Sequence, residues 1–257
     1  MQIIDTFVVH HEMVGNNMLV LKVRTKHKVA NLGLPGQFYQ IKLSSNDFQT
    51  RVPISIFDVE DQEISFLIKV IGEKTTILKN LRINDDLNII GPLGNCFSIK
   101  ENEKYMFVTG GCGYAPLNFL HKYASKNIIT WIHGGRNKDE VQFAVRGQKA
   151  HIICTDDGSE GLKGYVTSEL PKELHIQQHD KVFACGPAPM LKEVWNICKL
   201  FNKMLYVSLE SYMGCGFGVC WGCAVKVVNS KGEYTYARVC KEGPVFNAYH
   251  IVWEELV

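Results

Sequence analysis

Through the first hundred residues the apolar positions either alternate with polar ones or form short unbroken runs, and turn-forming residues separate them. Alternation sends successive side chains to opposite faces, so these runs predict strands. They fall at 18–23, 38–43 (with alternating faces), 53–58, 64–71 and 87–90. Leu34-Pro35-Gly36-Gln37 marks a turn, and Gly91-Pro92-Leu93-Gly94 closes the series with another. A single helix, at 75–81, fits between the last two strands. Many short strands with so little helix predict a small antiparallel barrel.

From about residue 104 the pattern changes. Compact apolar runs at 105–109, 128–132, 150–154, 181–184 and 204–209 read as buried strands, and several are separated by helical spacing, the first helix running to about residue 123. Strands alternating with helices predict a doubly wound parallel sheet, an α/β unit beside the β-barrel. The expected division is a barrel over 1–100, a nucleotide-binding sheet over 101–210 and a small module over 211–257.

In such a sheet, ligands bind beyond the carboxyl ends of the strands. One end reads Gly110-Gly111-Cys112-Gly113-Tyr114-Ala115-Pro116, where glycines let backbone approach a pyrophosphate and the next helix offers free N–H groups. The motif departs from G-x-G-x-x-G at Pro116, and alone it is equally an ordinary strand-to-helix turn. A second end, Cys185-Gly186-Pro187-Ala188-Pro189-Met190, has the same character. Two such ends in one sheet point to a dinucleotide crevice.

Composition narrows the classes. The 257 residues carry a net charge of only +2, with the basic residues dispersed, which argues against nucleic acid as a partner. No apolar run approaches the roughly 18 residues of a membrane span. The opening Met-Gln-Ile-Ile-Asp has no signal-peptide character, so a reducing cytoplasm is the expectation.

Nine cysteines are present, and four of them, Cys215, Cys220, Cys223 and the more distant Cys240, are spaced C-x4-C-x2-C…C. That is the plant-type ligand pattern of a [2Fe–2S] cluster: two irons need four thiolates, and a tight loop supplies three. Gly214, Gly216, Gly218 and Gly222 alternate with the ligands, as sharp folding and close N–H approach to sulfur require. Phe217, Val219 and Trp221 are expected to shield the cluster from water. Structural zinc also takes four cysteines, usually as two short knuckles, and the second knuckle is missing here. Cys96, Cys112, Cys154, Cys185 and Cys198 are scattered and are read as small buried hydrophobes.

A barrel followed by a sheet with Cys185-Gly186-Pro187-x-Pro189-Met190 resembles the ferredoxin reductase superfamily, whose barrel holds a flavin and whose sheet holds a nicotinamide. The stretches Ser208-Leu209-Glu210-Ser211-Tyr212-Met213-Gly214-Cys215-Gly216 and Val239-Cys240-Lys241-Glu242-Gly243-Pro244-Val245-Phe246 narrow the match. With Pro35-Gly36-Gln37-Phe38, Gly91-Pro92-Leu93-Gly94 and Thr155-Asp156-Asp157-Gly158-Ser159, they resemble the electron transfer subunits of bacterial dihydroorotate dehydrogenase B nearly end to end.

The resemblance implies FAD on the barrel, against Val52-Pro53-Ile54-Ser55, Leu67-Ile68-Lys69 and Lys74-Thr75. Val52 stands where the family has arginine, and Arg51 is one place early; a strand neighbour points to the other face unless a bulge re-aims it. Ile68 and Lys69 replace Tyr-Arg, so an aromatic surface is lost and a fork donor becomes a point charge. The resemblance further implies NAD as a diffusible co-substrate and an FMN-bearing catalytic subunit that oxidises dihydroorotate, in a heterotetramer of two subunits of each kind. A reductase subunit serving another acceptor, and a zinc protein with a decayed flavin site, are the alternatives. Arg136 bears on NADH against NADPH, and His121, His133, His151 and His175 are read as surface or packing residues, since electron transfer needs no general base.

Overall fold

The computed structural model describes residues 1–43 and 50–256. Strands β1 (Gln2–Met13), β2 (Met18–Thr25), β3 (Phe38–Ile41), β4 (Val52–Glu60), β5 (Glu63–Lys69) and β6 (Asp86–Leu93) close into an antiparallel barrel in the order β1-β2-β5-β4-β3-β6. Its core is the inward set of each strand, including Val8, Leu21, Tyr39, Ile41, Ile56 and Ile68. Helix α1 (Glu73–Lys79) precedes β6.

Two details differ from the sequence reading. The longest strand, β1, was not anticipated: its alternation is interrupted by a bulge between Val8 and His10, after which the polar His10, His11 and Glu12 follow. Strand β6 does not stop at the glycine–proline turn but continues through Leu93, which pairs with Phe38. The faces of β3 alternate as expected, and all four of its residues are buried because both faces are covered. Tyr39 and Ile41 fill the barrel, while Phe38 packs with the core of the following domain and Gln40 lies under the cysteine loop.

Strands β7 (Tyr105–Gly110), β8 (Ile128–Gly135), β9 (Ile152–Thr155), β10 (Leu162–Lys163), β11 (Lys181–Cys185) and β12 (Met204–Ser208) run parallel, with α2 (Tyr114–Ala124), α3 (Lys138–Gly147), α4 (Val166–Ile176) and α5 (Ala188–Leu200) in the connections. The chain then forms the cysteine loop and a hairpin of β13 (Ala224–Val228) and β14 (Tyr234–Arg238). It returns to the sheet as β15 (Val245–Asn247), antiparallel to β12. Residues 245–247 thus lie in the sheet, inside the span 211–257 expected to be a separate module. The sheet order is β10-β9-β8-β7-β11-β12-β15. Strand order reverses direction between the adjacent β7 and β11, the switch point at which an open parallel sheet leaves a crevice.

Helix α2 joins the two large units. Phe119 enters the barrel's core cluster, Asn118 donates to Phe57 O at 3.0 Å, and Lys122 pairs with Asp58 at 3.2 Å. Among the described residues, no helix is long and apolar enough to cross a membrane.

Candidate functional site

Within the cysteine loop the sulfurs are met by backbone donors. The N–H groups of Val219 and Cys220 reach Cys215 Sγ at 3.3 and 3.4 Å, and those of Cys215 and Gly222 each reach Cys220 Sγ at 3.5 Å. Such converging donors require tight turns, and Gly216 and Gly218 supply them at φ +80 and +88. Burial raises the Cys215 thiol, but the backbone donors outweigh it and bring it down to about 6. Cys223 and Cys240 are buried and adjoin each other; burial and that contact push Cys240 up to about 12. The four cysteines therefore form two pairs, Cys215 with Cys220 and Cys223 with Cys240. Two thiolates for each of two irons is what a [2Fe–2S] cluster asks of its ligands. The donor set fits that group: cysteine sulfur only, with the sulfurs of Cys215 and Cys220 already receiving N–H bonds.

Phe217, Val219 and Trp221 do not cover the loop as expected. They are 41%, 70% and 51% exposed, because the chain turns at Gly216, Gly218 and Trp221 (φ +59) and throws them outward. Arg238 instead clamps the loop from inside: it stacks 4.5 Å from the Trp221 ring, donates to Gly218 O and pairs with Glu242. Two of the scattered cysteines also differ from expectation, Cys96 being exposed and Cys112 half-buried, while Cys154, Cys185 and Cys198 are buried.

The loop is seated on the barrel. Gly216 presses on Gln40, and a Cβ there would lie 2.2 Å from Gln40 Nε2. After β6, Asn95 Nδ2 donates to Glu242 O and Val245 O, both at 2.8 Å, and Asn95 Oδ1 accepts from Val245 N. Asn95, just past the Gly91–Gly94 stretch, thus docks the segment that follows Cys240, a role its sequence does not reveal.

The residues expected to meet a flavin spread over neighbouring strands. Pro53 and Ser55 lie on the outer face of β4, half-buried, opposite Gln40 and Phe38 of β3. Val52 is buried in the barrel core with Ile54 packed against it, and Ile68 is buried there too. Leu67 faces outward into the core of the sheet domain. Arg51 reaches across β3 to β6, where it donates to Asn88 O at 3.0 Å and Asn88 Oδ1 at 2.5 Å. Lys69 pairs with Glu140 of α3 at 2.7 Å. Burial raises the Glu140 carboxyl, but Lys69 and the Arg136 N–H outweigh it and hold it below the ordinary value. Lys74 donates to Thr50 at 2.6 Å, and Thr75 Oγ1 accepts from Ile71 N and Gly72 N at the start of α1. The half-buried Pro53–Ser55 face with Lys69 and Lys74 on one flank fits a flat, anionic dinucleotide such as FAD.

A cleft of about 360 Å³ opens at the switch point. Gly110, Gly111 and Pro187 line it together with Lys69, Gly134, Gly135 and Arg136. Gly113 lies just behind: a Cβ there would meet Cys185 O at 2.3 Å, so only glycine lets the ends of β7 and β11 come together. Gly186 is packed as closely, against Met190. At the same edge Cys112 Sγ donates to Glu210 Oε1 at 3.9 Å, and Cys185 lies near both. Burial pushes Cys112 up to about 12 and Cys185 well above the ordinary thiol value, and the surrounding protein raises Glu210. This acid cluster was missed from the sequence; its one signal was that all three residues stand at the carboxyl ends of strands. His133 is buried and neutral, its value lowered by burial to about 3, with Nδ1 2.9 Å from Thr109 Oγ1.

These features agree with known proteins. Residues 210–252 match the iron–sulfur cluster binding domain of dihydroorotate dehydrogenase B, and residues 5–97 match an oxidoreductase FAD-binding domain. The dihydroorotate dehydrogenase B (NAD(+)) electron transfer subunit of Caldanaerobacter subterraneus subsp. tengcongensis is 38% identical over 219 residues, 85% of this chain and 87% of that protein. The chain belongs to this family of electron transfer subunits. A second member, from Geobacillus sp. (strain WCH70), is 35% identical over 95% of this chain and 96% of its own length. Among solved structures, an NADH-dependent reduced ferredoxin-NADP oxidoreductase superposes with a TM-score of 0.85 at 27% identity, covering 98% of this chain and 91% of that one. The ferredoxin reductase of carbazole 1,9a-dioxygenase, at 18% identity and a TM-score of 0.67, covers 78% of this chain and 65% of its own, and shares the fold.

Proposed function

We propose that this subunit relays electrons between an FMN-bearing catalytic subunit that oxidises dihydroorotate to orotate and NAD+, in the cytoplasm, within a heterotetramer of two subunits of each kind. One observation carries the reading. The cysteine loop rests on β3, the Pro53–Ser55 face belongs to β4, and Lys69 at the mouth of the dinucleotide cleft belongs to β5, three strands side by side in the barrel. A flavin exchanges hydride with nicotinamide and single electrons with an iron–sulfur cluster, so its place is between the two.

The chain's own residues then have distinct tasks. Cys215, Cys220, Cys223 and Cys240 hold the cluster. Pro53, Ser55, Lys69 and Lys74 offer the flavin a flat face and positive flank, while Gly110, Gly111, Gly113, Gly186 and Pro187 keep the cleft clear of side chains so that backbone N–H groups meet the nicotinamide dinucleotide's phosphates.

The purified chain is tested by its anaerobic absorbance spectrum before and after NADH, with iron, zinc and released flavin counted on the same sample. Flavin with roughly two irons per chain, bleached by NADH, is expected. Zinc without colour would end the relay reading. The likeness to the NADH-dependent ferredoxin oxidoreductase supports a second reading, a reductase subunit with another acceptor. Copurification with a dihydroorotate-oxidising flavoprotein separates the two.

A further inference from the structure

Gln40 is a conspicuous misfit in the barrel. It is 0% exposed, yet neither Nε2 nor Oε1 has a hydrogen-bond partner. An amide buried this way costs on the order of 1–3 kcal/mol, so a chain that keeps one has a use for it. The side chain lies on the outer face of β3, across from Pro53 on β4 and Ile90 on β6. Its amide nitrogen occupies the space that a side chain at Gly216 would need. Gly216 follows Cys215, whose sulfur already receives the N–H groups of Val219 and Cys220. The amide therefore meets the sulfur-bearing loop from the barrel, on the side of the Pro53–Ser55 face.

We infer that Gln40 is the barrel's hydrogen-bond donor to the cluster, its Nε2–H directed at the sulfur atoms gathered by the Cys215–Cys223 loop, where it raises the cluster's reduction potential. A reduced cluster carries one more negative charge than an oxidised one, and N–H donors to its sulfurs favour the reduced state. A donor on the flavin side sets the driving force of the step between cluster and flavin. The inference rests on the loop holding a [2Fe–2S] cluster, and the test separates the two claims.

Gln40→Leu and Gln40→Met remove the donor while keeping the volume. The full chain, with its partner subunit where the two copurify, is titrated anaerobically, following the cluster by electron paramagnetic resonance and the flavin by absorbance. Both variants are expected to keep their iron. At a fixed poise the ratio of reduced to oxidised cluster falls about tenfold, which is 59 mV for one electron, and the flavin midpoint stays in place. In the unaltered protein labelled with side-chain 15N-glutamine, the reduced cluster shows a nitrogen hyperfine coupling that Gln40→Met abolishes. A shifted flavin with an unshifted cluster overturns the inference, because the amide then serves the flavin. Unshifted potentials with a raised melting temperature overturn it as well, because the amide is then idle and its removal only relieves burial. If both variants lose iron, the labelled wild-type spectrum decides: absence of the coupling sinks the assignment. A wild-type chain without iron overturns the cluster reading itself, and this inference with it.

Discussion

The cysteine loop and the flavin face of the barrel carry their chemistry in opposite ways. In the loop, three ligands, their spacing glycines and the N–H donors to sulfur all lie between Cys215 and Cys223, within one short stretch of chain. On the barrel, the corresponding residues are spread over β4, β5 and α1, and each cation is already engaged: Arg51 with Asn88, Lys69 with Glu140, Lys74 with Thr50. A site written in one turn tolerates change around it. A site assembled from neighbouring strands depends on what each residue does when the ligand is away.

Substitutions can break this comparison at graded strength. The largest effect belongs to Cys220→Ser, which removes one thiolate of a pair: iron and visible cluster absorbance should be lost while bound flavin stays, read by metal analysis and the flavin spectrum. Gly113→Ala comes next, since its methyl would meet Cys185 O at 2.3 Å with no flexible side chain to yield. About 2 kcal/mol of stability should go, with a fall of roughly tenfold in NADH affinity as the ends of β7 and β11 separate. Denaturant melts and a nucleotide titration measure the two.

Lys69→Met strands the Glu140 carboxylate, which is only 7% exposed. Because Lys69 is itself partly exposed, the cost at pH 7 should be about 2 kcal/mol, below that of a fully buried pair. The native Glu140 carboxyl lies below its ordinary value, so the stability it contributes is present above the ordinary carboxyl range and fades as pH falls through the lowered native value. The gap between variant and parent should therefore close on acidification, as urea melts at pH 7 and about 4 would show. Arg51→Ala should have the smallest effect, about 1 kcal/mol of stability from the lost contacts to Asn88, with flavin content unchanged. A large loss of flavin in this variant would show that Arg51 leaves Asn88 when the cofactor binds, and would erase the contrast drawn above.

The same contrast explains what could be read from the sequence. The barrel strands, the parallel sheet and the cysteine spacing were legible because period and spacing are local. Strand β1 was not, because a bulge breaks its alternation. The exposure of Phe217, Val219 and Trp221 was not, because positive-φ turns decide which way a loop residue points. The Lys69–Glu140 pair is made only where barrel packs against sheet domain, and the Cys112–Cys185–Glu210 cluster only where the ends of β7, β11 and β12 come side by side, so neither is written in a local stretch.

Ser208 and Val245 face each other on one rung of the sheet. The whole excursion between them, cysteine loop and β13–β14 hairpin included, is topologically a single long hairpin connection between β12 and β15. It adds no crossing and alters no neighbour in the parallel strand order. The same sheet with and without the cysteine loop can thus differ by the length of one edge connection, and the parallel strands that form the dinucleotide cleft are left as they are.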